Sequence, residues 1–211
     1  MGKVIAFINQ KGGCAKSTTS VHFASWLSRN KHKVLLIDAD AQKSSSIWLG
    51  SMVTEIPYKV VQSPDDLLDQ IPELAAEQKY LVVDGPAALS ETTRAILFRA
   101  DIAVVPCQPT GVDLRSAADT VRLIQQAQSV RNGPPKAAVF LSRAVKGTKL
   151  LDEAVQLLQQ TKVPVLKNTI YQRQVIADTF GQRATVWDLP GKAASESAAE
   201  FEGLFKEILK I

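Results

Sequence analysis

The sequence predicts an α/β protein built on one doubly wound, mostly parallel β-sheet. Short apolar runs, of the length of strands buried on both faces, alternate along the chain with segments of helical periodicity. The first run leads into a glycine-rich turn, and the second and third each end in an aspartate. Strands that alternate with helices form a parallel sheet covered on both faces, and ligands bind at the carboxyl ends of such strands.

Six apolar runs predict the strands of this sheet. They span residues 4–8, 34–37, 80–83, 102–105, 137–141 and 163–166. Apolar residues at helical spacing predict helices over residues 18–29, 65–74, 90–98, 114–128 and 149–160, and a further stripe runs from 196 to 211. A single domain over residues 1–211 is the simplest organisation, because a chain of this length can bury one large core.

The turn after the first strand has the composition of a loop that binds nucleotide phosphates. It reads Lys11-Gly12-Gly13-Cys14-Ala15-Lys16-Ser17-Thr18. The glycines let the backbone approach an anion, so that successive N–H groups form a concave nest. Lys16 would contact the β and γ phosphates, Ser17 would offer its hydroxyl to Mg²⁺, and the helix beginning near Thr18 would direct its positive end at the phosphates. The chain is therefore predicted to bind ATP or GTP.

This loop departs from the ordinary pattern G-x-x-x-x-G-K-[ST] at Gln10 and Ala15. An alanine before the lysine must keep a backbone conformation that alanine tolerates, or adopt a positive φ at a cost. Because of its second lysine, Lys11, the loop instead resembles the deviant Walker A motif, K-G-G-x-x-K-[ST], of the ParA/MinD family of SIMIBI-like P-loop NTPases. The resemblance implies that the loop binds ATP and that Lys11 reaches across an ATP-sandwich dimer to the partner's ATP.

Two aspartates follow the second predicted strand, in the segment Asp38-Ala39-Asp40-Ala41-Gln42. The segment is similar to the family's Walker A′ pattern. A carboxylate at the carboxyl end of a central strand faces the phosphates, where it can orient an attacking water or hold the metal's hydration shell. We assign this catalytic role first to Asp38, with Asp40 in support. The alternative is that these two aspartates are only the first residues of a polar turn and have no catalytic role.

A third acidic residue, Asp84, ends the strand over residues 80–83. Its position after an apolar strand is that of a Walker B aspartate, which binds Mg²⁺ directly or through water because hard cations prefer oxygen ligands. An Asp-Gly turn alone is a weak signal. Its order after the other two motifs strengthens the interpretation, so Asp84 and Ser17 are the predicted metal ligands.

The resemblance extends over nearly the whole chain. It is greatest to small ParA-type proteins, which act in ParF-like plasmid partition or McdA-like carboxysome positioning. It implies that Arg143 lies near the adenine base, although a surface arginine that closes a strand is at least as good an interpretation. It also implies a slow intrinsic ATPase, stimulated by an adaptor of the ParB, ParG or McdB kind.

Composition indicates a cytoplasmic protein. No segment approaches the length of a membrane span, and no signal-peptide organisation precedes the first strand. Cys14 and Cys107 lack metal-type spacing, which fits a reducing compartment; Cys107 is predicted to be a small buried residue. His22 and His32 are predicted to have packing or surface roles only.

A mild excess of basic residues suggests a polyanionic partner. The formal net charge is +4, and the isoelectric point is near 9.1. Nonspecific double-stranded DNA is the expected partner, which would make the protein nucleoid-associated; a solvated face with no partner is the alternative. The basic residues of the second half of the chain include Arg131, Lys136, Arg143, Lys146, Lys149, Lys162, Lys167 and Arg173.

Two other functions use the same ATP motifs. The apolar stripe from 196 to 211 could anchor a MinD-like membrane-cycling ATPase, but acidic residues interrupt its polar face, so a helix packed on the domain is preferred and no stable membrane association is expected. A metabolic ATP-dependent enzyme would need its own substrate constellation, and none is evident outside the three phosphate motifs.

Overall fold

A computed structural model describes residues 2–160 and 163–211. Its centre is a six-stranded sheet in which every strand pairing is parallel, in the order β3-β2-β4-β1-β5-β6. The strands are β1 (Lys3–Phe7), β2 (Val34–Asp38), β3 (Tyr58–Val60), β4 (Tyr80–Asp84), β5 (Ile102–Cys107) and β6 (Lys136–Leu141). The predicted fold class, a doubly wound parallel sheet, is confirmed.

Eight α-helices of the described chain connect and cover the strands. They are α1 (Lys16–Arg29), α2 (Ser44–Ser51), α3 (Pro64–Glu77), α4 (Glu91–Arg99), α5 (Gly111–Arg131), α6 (Lys149–Gln159), α7 (Gln174–Gly181) and α8 (Lys192–Ile208), with one 3₁₀ turn at Val186–Asp188. Several begin with a hydroxyl cap, because Ser63, Ser90, Thr110 and Thr148 each accept a bond from a backbone N–H three residues later.

Alternating residues of each central strand feed two separate cores. In β1, Val4 and Ala6 pack on the face that α3, α4 and α5 cover, whereas Ile5 and Phe7 pack on the face that α1 and α8 cover. Both faces are dry, which explains why these strands appear in the sequence as continuous apolar runs. The parallel register aligns the strand ends, so that Phe7, Asp38 and Asp84 lie at one level.

The sixth strand is not the one predicted from the sequence. Of the segment over residues 163–166, Val165 forms an isolated parallel bridge with Val139, and residues 161–162 lie outside the described chain. Pro164 has no N–H to donate, so a regular ladder cannot continue through it. The sixth strand is instead β3, a three-residue edge strand with exposed side chains, which pairs with β2.

The C-terminal helix packs on the domain, as predicted. It begins at Lys192, before the predicted start at 196, and buries Phe201, Leu204, Phe205 and Ile208 in the core. The helices α2 and α7 were not predicted, because each has only eight residues and α2 has little helical periodicity in its sequence. No helix of the described chain is long and apolar enough to cross a membrane.

His22 is a fully buried packing residue rather than a surface one. Its ring stacks on Phe201 with the centroids 4.4 Å apart. Its Nδ1 lies 2.7 Å from the carbonyl oxygen of Thr18, and its Nε2 accepts the N–H of Val186 at 3.2 Å. A neutral imidazole with its proton on Nδ1 satisfies both bonds. Burial lowers the pKa of His22 to about 4.

This buried imidazole should make stability depend on pH. An unfolded histidine has a pKa near 6.5, so the unfolded chain binds the extra proton first as the pH falls. The contribution of His22 is therefore complete above about pH 6.5 and is lost as the pH falls to about 4, by about 3 kcal/mol. Urea unfolding of wild type and His22→Gln from pH 7.5 to 4.5 measures the difference, which should shrink steadily. His32→Gln is the control, and an unchanged His22→Gln difference would contradict the prediction.

Candidate functional site

The predicted phosphate loop, residues 11–18, connects β1 with the first turn of α1. One of its lysines points into the concavity of the loop. Lys16 is the first residue of α1, and its side chain lies in the concavity of the loop, with only 5% of the residue exposed. Its Nζ donates to the carbonyl oxygen of Lys11 at 3.1 Å. Lys11 itself is half-buried, and its Nζ forms no ion pair or hydrogen bond within residues 2–160 and 163–211. The two loop lysines therefore have different environments.

Two loop residues have the left-handed backbone conformation that favours glycine. Gly13 has φ +76°, and Ala15, the residue that caps α1, has φ 74° and ψ 26°. Of the two backbone conformations considered for Ala15, the structure therefore has the strained one, with a positive φ. For a residue with a Cβ this conformation costs about 1 to 2 kcal/mol.

Replacing Ala15 with glycine should stabilise the protein. The strain removed exceeds the extra chain entropy that glycine loses on folding, so the free energy of unfolding should rise by about 0.5 to 1 kcal/mol. Urea denaturation measures the change. Ala199→Gly, in the exposed middle of α8, is the matched control and should lose about 1 kcal/mol. If both variants lose stability equally, the conformation of Ala15 is not strained.

Asn9 connects the loop to the sheet, and sequence reasoning missed it. Its Oδ1 accepts the N–H of Lys11 at 3.0 Å, the hydroxyl of Ser116 at 2.7 Å and that of Thr120 at 3.4 Å. Its Nδ2 donates to the carbonyl oxygen of Pro106 at 2.8 Å. The side chain is 1% exposed, so these bonds compete with little water. Asn9 thus ties the start of the loop to β5 and α5.

Residues after β5 and β6 hold the other side of the loop. The carbonyl oxygen of Gly13 accepts bonds from Gln108 Nε2 at 2.9 Å and from an Arg143 guanidinium nitrogen at 3.0 Å. Ser142 donates its hydroxyl to the carbonyl oxygen of Cys14 at 2.9 Å. Arg143 is therefore next to the phosphate loop; its contact with a base stays a prediction. No role was predicted for Gln108 or Ser142, although both belong to segments that resemble the family.

The two cysteines are buried beside the loop. Cys14 and Cys107 are free thiols with no exposed surface, as predicted for Cys107. Burial raises the pKa of both thiols, that of Cys107 to about 12. Cys14 can contribute only its backbone to a phosphate site, because its side chain points into the protein and donates to the carbonyl oxygen of Lys11.

Asp84 has the unused oxygen that a cation site needs. One carboxylate oxygen accepts the hydroxyl of Ser20 at 3.2 Å, but the other is buried without a hydrogen-bond partner in the described structure, as is the hydroxyl of Ser45. Burial raises the pKa of Asp84 to about 7, and the neighbouring Asp38 carboxylate adds to that rise. A buried carboxylate oxygen without a close hydrogen-bond partner, next to the hydroxyl of Ser17, fits Mg²⁺, which binds one or two protein oxygens together with nucleotide phosphates.

Asp38 organises the turn that follows β2. It is fully buried, and its two oxygens accept the N–H groups of Asp40 at 3.1 Å and Ser46 at 2.8 Å. Its Cα pairs in register with that of Asp84 across β2 and β4. The Asp40 carboxylate accepts the N–H of Gln42 at 3.0 Å, at the surface of the turn. Asp38 is therefore the inner residue of the pair and Asp40 the outer one.

A cavity of about 650 Å³ adjoins these residues. The phosphate loop, Asp40 and Arg143 line its polar side, and Trp48 and Phe180 line its apolar side. This volume is in the range of cofactor-sized sites. Within the described chain no group of three or more His, Cys, Asp or Glu side chains could hold a metal without a bound ligand.

The phosphate loop and both aspartate turns lie within the segment that matches a known family. A model of the CobQ/CobB/MinD/ParA nucleotide binding domain matches residues 5–186. The chain belongs to this family. The match begins inside β1 and extends beyond β6, so it includes the carboxyl ends of all six strands and the sheet edge that carries the candidate site. The resemblance to ParA and MinD proteins is thereby confirmed at the family level.

The relatives of this family member include two carboxysome proteins. Maintenance of carboxysome distribution protein A of Halothiobacillus neapolitanus is 26% identical, over 97% of this chain and 95% of the relative. The protein of the same description from Gloeobacter kilaueensis is 30% identical, over 98% and 94%.

Solved structures of low sequence identity share the fold. A McdA–ATP complex from Cyanothece has a TM-score of 0.81 at 18% identity and covers 100% of this chain and 97% of that one. The septum site-determining protein MinD of Pyrococcus horikoshii, complexed with Mg-ADP, has a TM-score of 0.79 at 19% identity and covers 99% and 96%. Proteins with this fold therefore hold ATP and Mg-ADP.

Several basic residues of the second half of the chain make contacts within the fold. Arg173 pairs with both oxygens of Glu200 at 2.7 Å. Arg131 donates to backbone carbonyls at the end of α4, and Lys136 donates to the carbonyl oxygen of Ile211. Lys162 lies outside the described residues. The predicted basic excess of the second half is therefore smaller in the folded protein.

Proposed function

We propose that this family member is a Mg²⁺-dependent ParA-type ATPase that forms an ATP-sandwich dimer and binds nonspecific double-stranded DNA in that state. The difference between the two loop lysines is the main support. Lys16 is buried and directed into the loop, whereas the ammonium group of Lys11 has no hydrogen-bond or ion-pair partner in the described structure. A free ammonium beside the phosphate loop is suited to a nucleotide held by a second copy of the chain.

The residues divide between binding and hydrolysis. Lys16 and the loop N–H groups hold the phosphates, with Thr18 at the start of the helix beside them. Ser17 and Asp84 hold Mg²⁺, which neutralises phosphate charge when it is bound. Asp38 orients the attacking water and Asp40 supports it from the outer side of the turn, while Lys11 acts on the nucleotide of the partner. Arg143 is the proposed contact to the base.

The proposed role is to position a cargo on the nucleoid. Two relatives that match over nearly their whole length are named for the maintenance of carboxysome distribution. An adaptor of the ParB, ParG or McdB kind that stimulates ATP hydrolysis would release the dimer from DNA, and the cargo would follow the remaining bound dimers. Carboxysomes are the favoured cargo on this ground, with plasmids or chromosomes as the other cargoes of the family.

The two competing functions have less support. A MinD-like membrane anchor would need the apolar face of α8 to be free, but Phe201, Leu204 and Phe205 are buried in the core. A metabolic enzyme would need a second polar site for its acceptor, and the cavity described above adjoins the phosphate loop itself. We therefore propose that the protein is cytoplasmic and associated with the nucleoid, without stable membrane association.

Binding to nonspecific duplex DNA tests this function. Wild type should bind with Mg-ATP but not with Mg-ADP or without nucleotide, and the affinity should fall steeply with salt. Lys16→Ala should not bind, because it lacks the nucleotide-bound state. Asp38→Asn should bind and remain bound, because it forms that state without hydrolysing ATP. Absence of DNA binding by wild type in every nucleotide state would overturn the proposal.

A further inference from the structure

A row of lysines crosses the amino-terminal edge of the sheet, opposite the phosphate loop. Lys33 precedes β2, Lys79 precedes β4 and Lys3 begins β1, and these strands are neighbours in the order β2-β4-β1. The N–H of Lys79 donates to the carbonyl oxygen of Lys33, and the N–H of Lys3 to that of Lys79, each at 2.9 Å. Their backbones therefore lie about 4.8 Å apart, the spacing of adjacent strands. With Lys31, these residues form the amino-edge row.

The lysines of this row have no ion-pair partner in the described structure, although the Asp101 carboxylate lies beside Lys3, where it accepts the N–H of Val4 at 2.8 Å. None of its four lysines takes part in an ion pair formed by residues 2–160 and 163–211. Lys31, Lys33 and Lys79 are exposed, and Lys3 is half-buried. The Lys79 ammonium lies 5.7 Å from the centre of the Tyr80 ring. Unpaired like charges at this spacing repel one another, so a bound polyanion would stabilise them.

Lys31 occupies a backbone position that favours glycine. It follows the end of α1 with φ 59°, and its N–H donates to the carbonyl oxygen of Ser28 at 2.8 Å, while that of His32 donates to Leu27 at 3.0 Å. This is the left-handed turn in which helices commonly end, and glycine is its preferred residue. Lysine at this position makes the folded protein less stable than glycine would. Strained residues of this kind are often found at functional sites, which is consistent with a function for the Lys31 charge.

The chemistry of the row fits the phosphate backbone of duplex DNA. Lysine ammonium groups are flexible, strongly hydrated point charges suited to contacts that do not read sequence. Phosphates of one DNA strand recur about every 3.4 Å along the helix axis, so a row about 10 Å long can face three of them. No large apolar side chain is exposed at residues 2–4, 31–33 or 77–80, which disfavours insertion into a membrane surface.

The row is also well placed relative to the nucleotide. The phosphate loop follows the carboxyl end of β1, and the row lies at the amino end of the same sheet. A second chain on the nucleotide face would therefore leave the row uncovered. We propose that the amino-edge row is the surface that binds the phosphate backbone of nonspecific duplex DNA. This inference rests on the proposed function and identifies the residues that carry its DNA contact.

Two triple variants of equal charge test the proposal. The edge variant is Lys31→Gln, Lys33→Gln, Lys79→Gln; the rival variant is Lys146→Gln, Lys149→Gln, Lys167→Gln, which removes three exposed lysines of the second half. Binding to a random-sequence duplex with Mg-ATP is measured over a series of salt concentrations. The edge variant should bind at least tenfold more weakly, and its log–log salt slope should be smaller by about 2.7, at about 0.9 for each lost phosphate contact. The rival variant should bind within about threefold of wild type.

A single variant separates the charge of the row from its structural effect. Lys31→Gly removes one ammonium group and also relieves the positive φ, so its thermal midpoint should rise while its salt slope falls by about 0.9. Misfolding would lower both. Nucleotide binding of each variant should equal that of wild type, because the row is remote from the phosphate loop.

The outcomes separate this inference from the proposed function. If wild type binds DNA with Mg-ATP and the edge variant binds equally well, the inference is overturned and the proposed function stands. If wild type never binds DNA, both are overturned. Vesicles of anionic phospholipid form a further arm: binding of wild type to vesicles rather than DNA, lost in the edge variant, would overturn DNA as the partner and assign the row to a membrane surface.

Discussion

Replacing Lys16 with alanine is expected to weaken nucleotide binding by about 100-fold. The ammonium group lies inside the phosphate loop with 5% of the residue exposed, and a hydrogen bond between charged groups in such a position contributes up to about 3 kcal/mol. Alanine removes the charge without changing helix propensity unfavourably at the start of α1. Fluorescence titration with a labelled ATP in the presence of Mg²⁺ measures the loss.

Lys11→Ala is the matched control in the same loop. Lys11 does not line the cavity, and its ammonium group makes no ion pair or hydrogen bond within residues 2–160 and 163–211, so a single chain should bind Mg-ATP within about threefold of wild type. The rate of ATP hydrolysis should nevertheless fall. The mass of the Mg-ATP complex, measured by light scattering, should be that of a monomer. Equal loss of nucleotide affinity in both variants would contradict the division of roles between the two lysines.

Replacing Asn9 with alanine is expected to lower the free energy of unfolding by about 3 kcal/mol. The side chain is buried and makes four hydrogen bonds, so its loss leaves the N–H of Lys11 and the carbonyl oxygen of Pro106 without these partners. Each buried polar group left unpaired costs about 1 to 3 kcal/mol. Urea denaturation of the nucleotide-free protein measures this change.

The neighbouring amide, Gln10, provides the control for Asn9. Its Nε2 donates to an Asp119 carboxylate oxygen at 3.3 Å in a partly buried position, so Gln10→Ala should cost less than about 1 kcal/mol. Asn9→Ala should also weaken Mg-ATP binding, because the loop N–H groups lose their fixed orientation. A stable Asn9→Ala protein with wild-type nucleotide affinity would show that the loop does not depend on this residue.

The core of the fold could be predicted because its signals are local. Strands buried on both faces must be apolar throughout, and five such runs correspond to β1, β2, β4, β5 and β6. The edge strand β3 was missed, since three exposed residues leave no pattern. The run at 163–166 was predicted as a strand because apolar content alone does not reveal that Pro164 interrupts the pairing.

The phosphate loop, the two aspartate turns and the parallel sheet that aligns them could be predicted from residues within a few positions of one another, because glycine, lysine and carboxylate have intrinsic chemistry there. The folded chain was needed to show that Asn9 and Arg143 support the loop and that Arg173 is paired with Glu200. It was also needed to show that lysines without an ion pair among the described residues meet at the opposite edge of the sheet. Such roles depend on partners up to 130 residues away, and a side chain's chemistry becomes available or is used up only when folding brings those partners together.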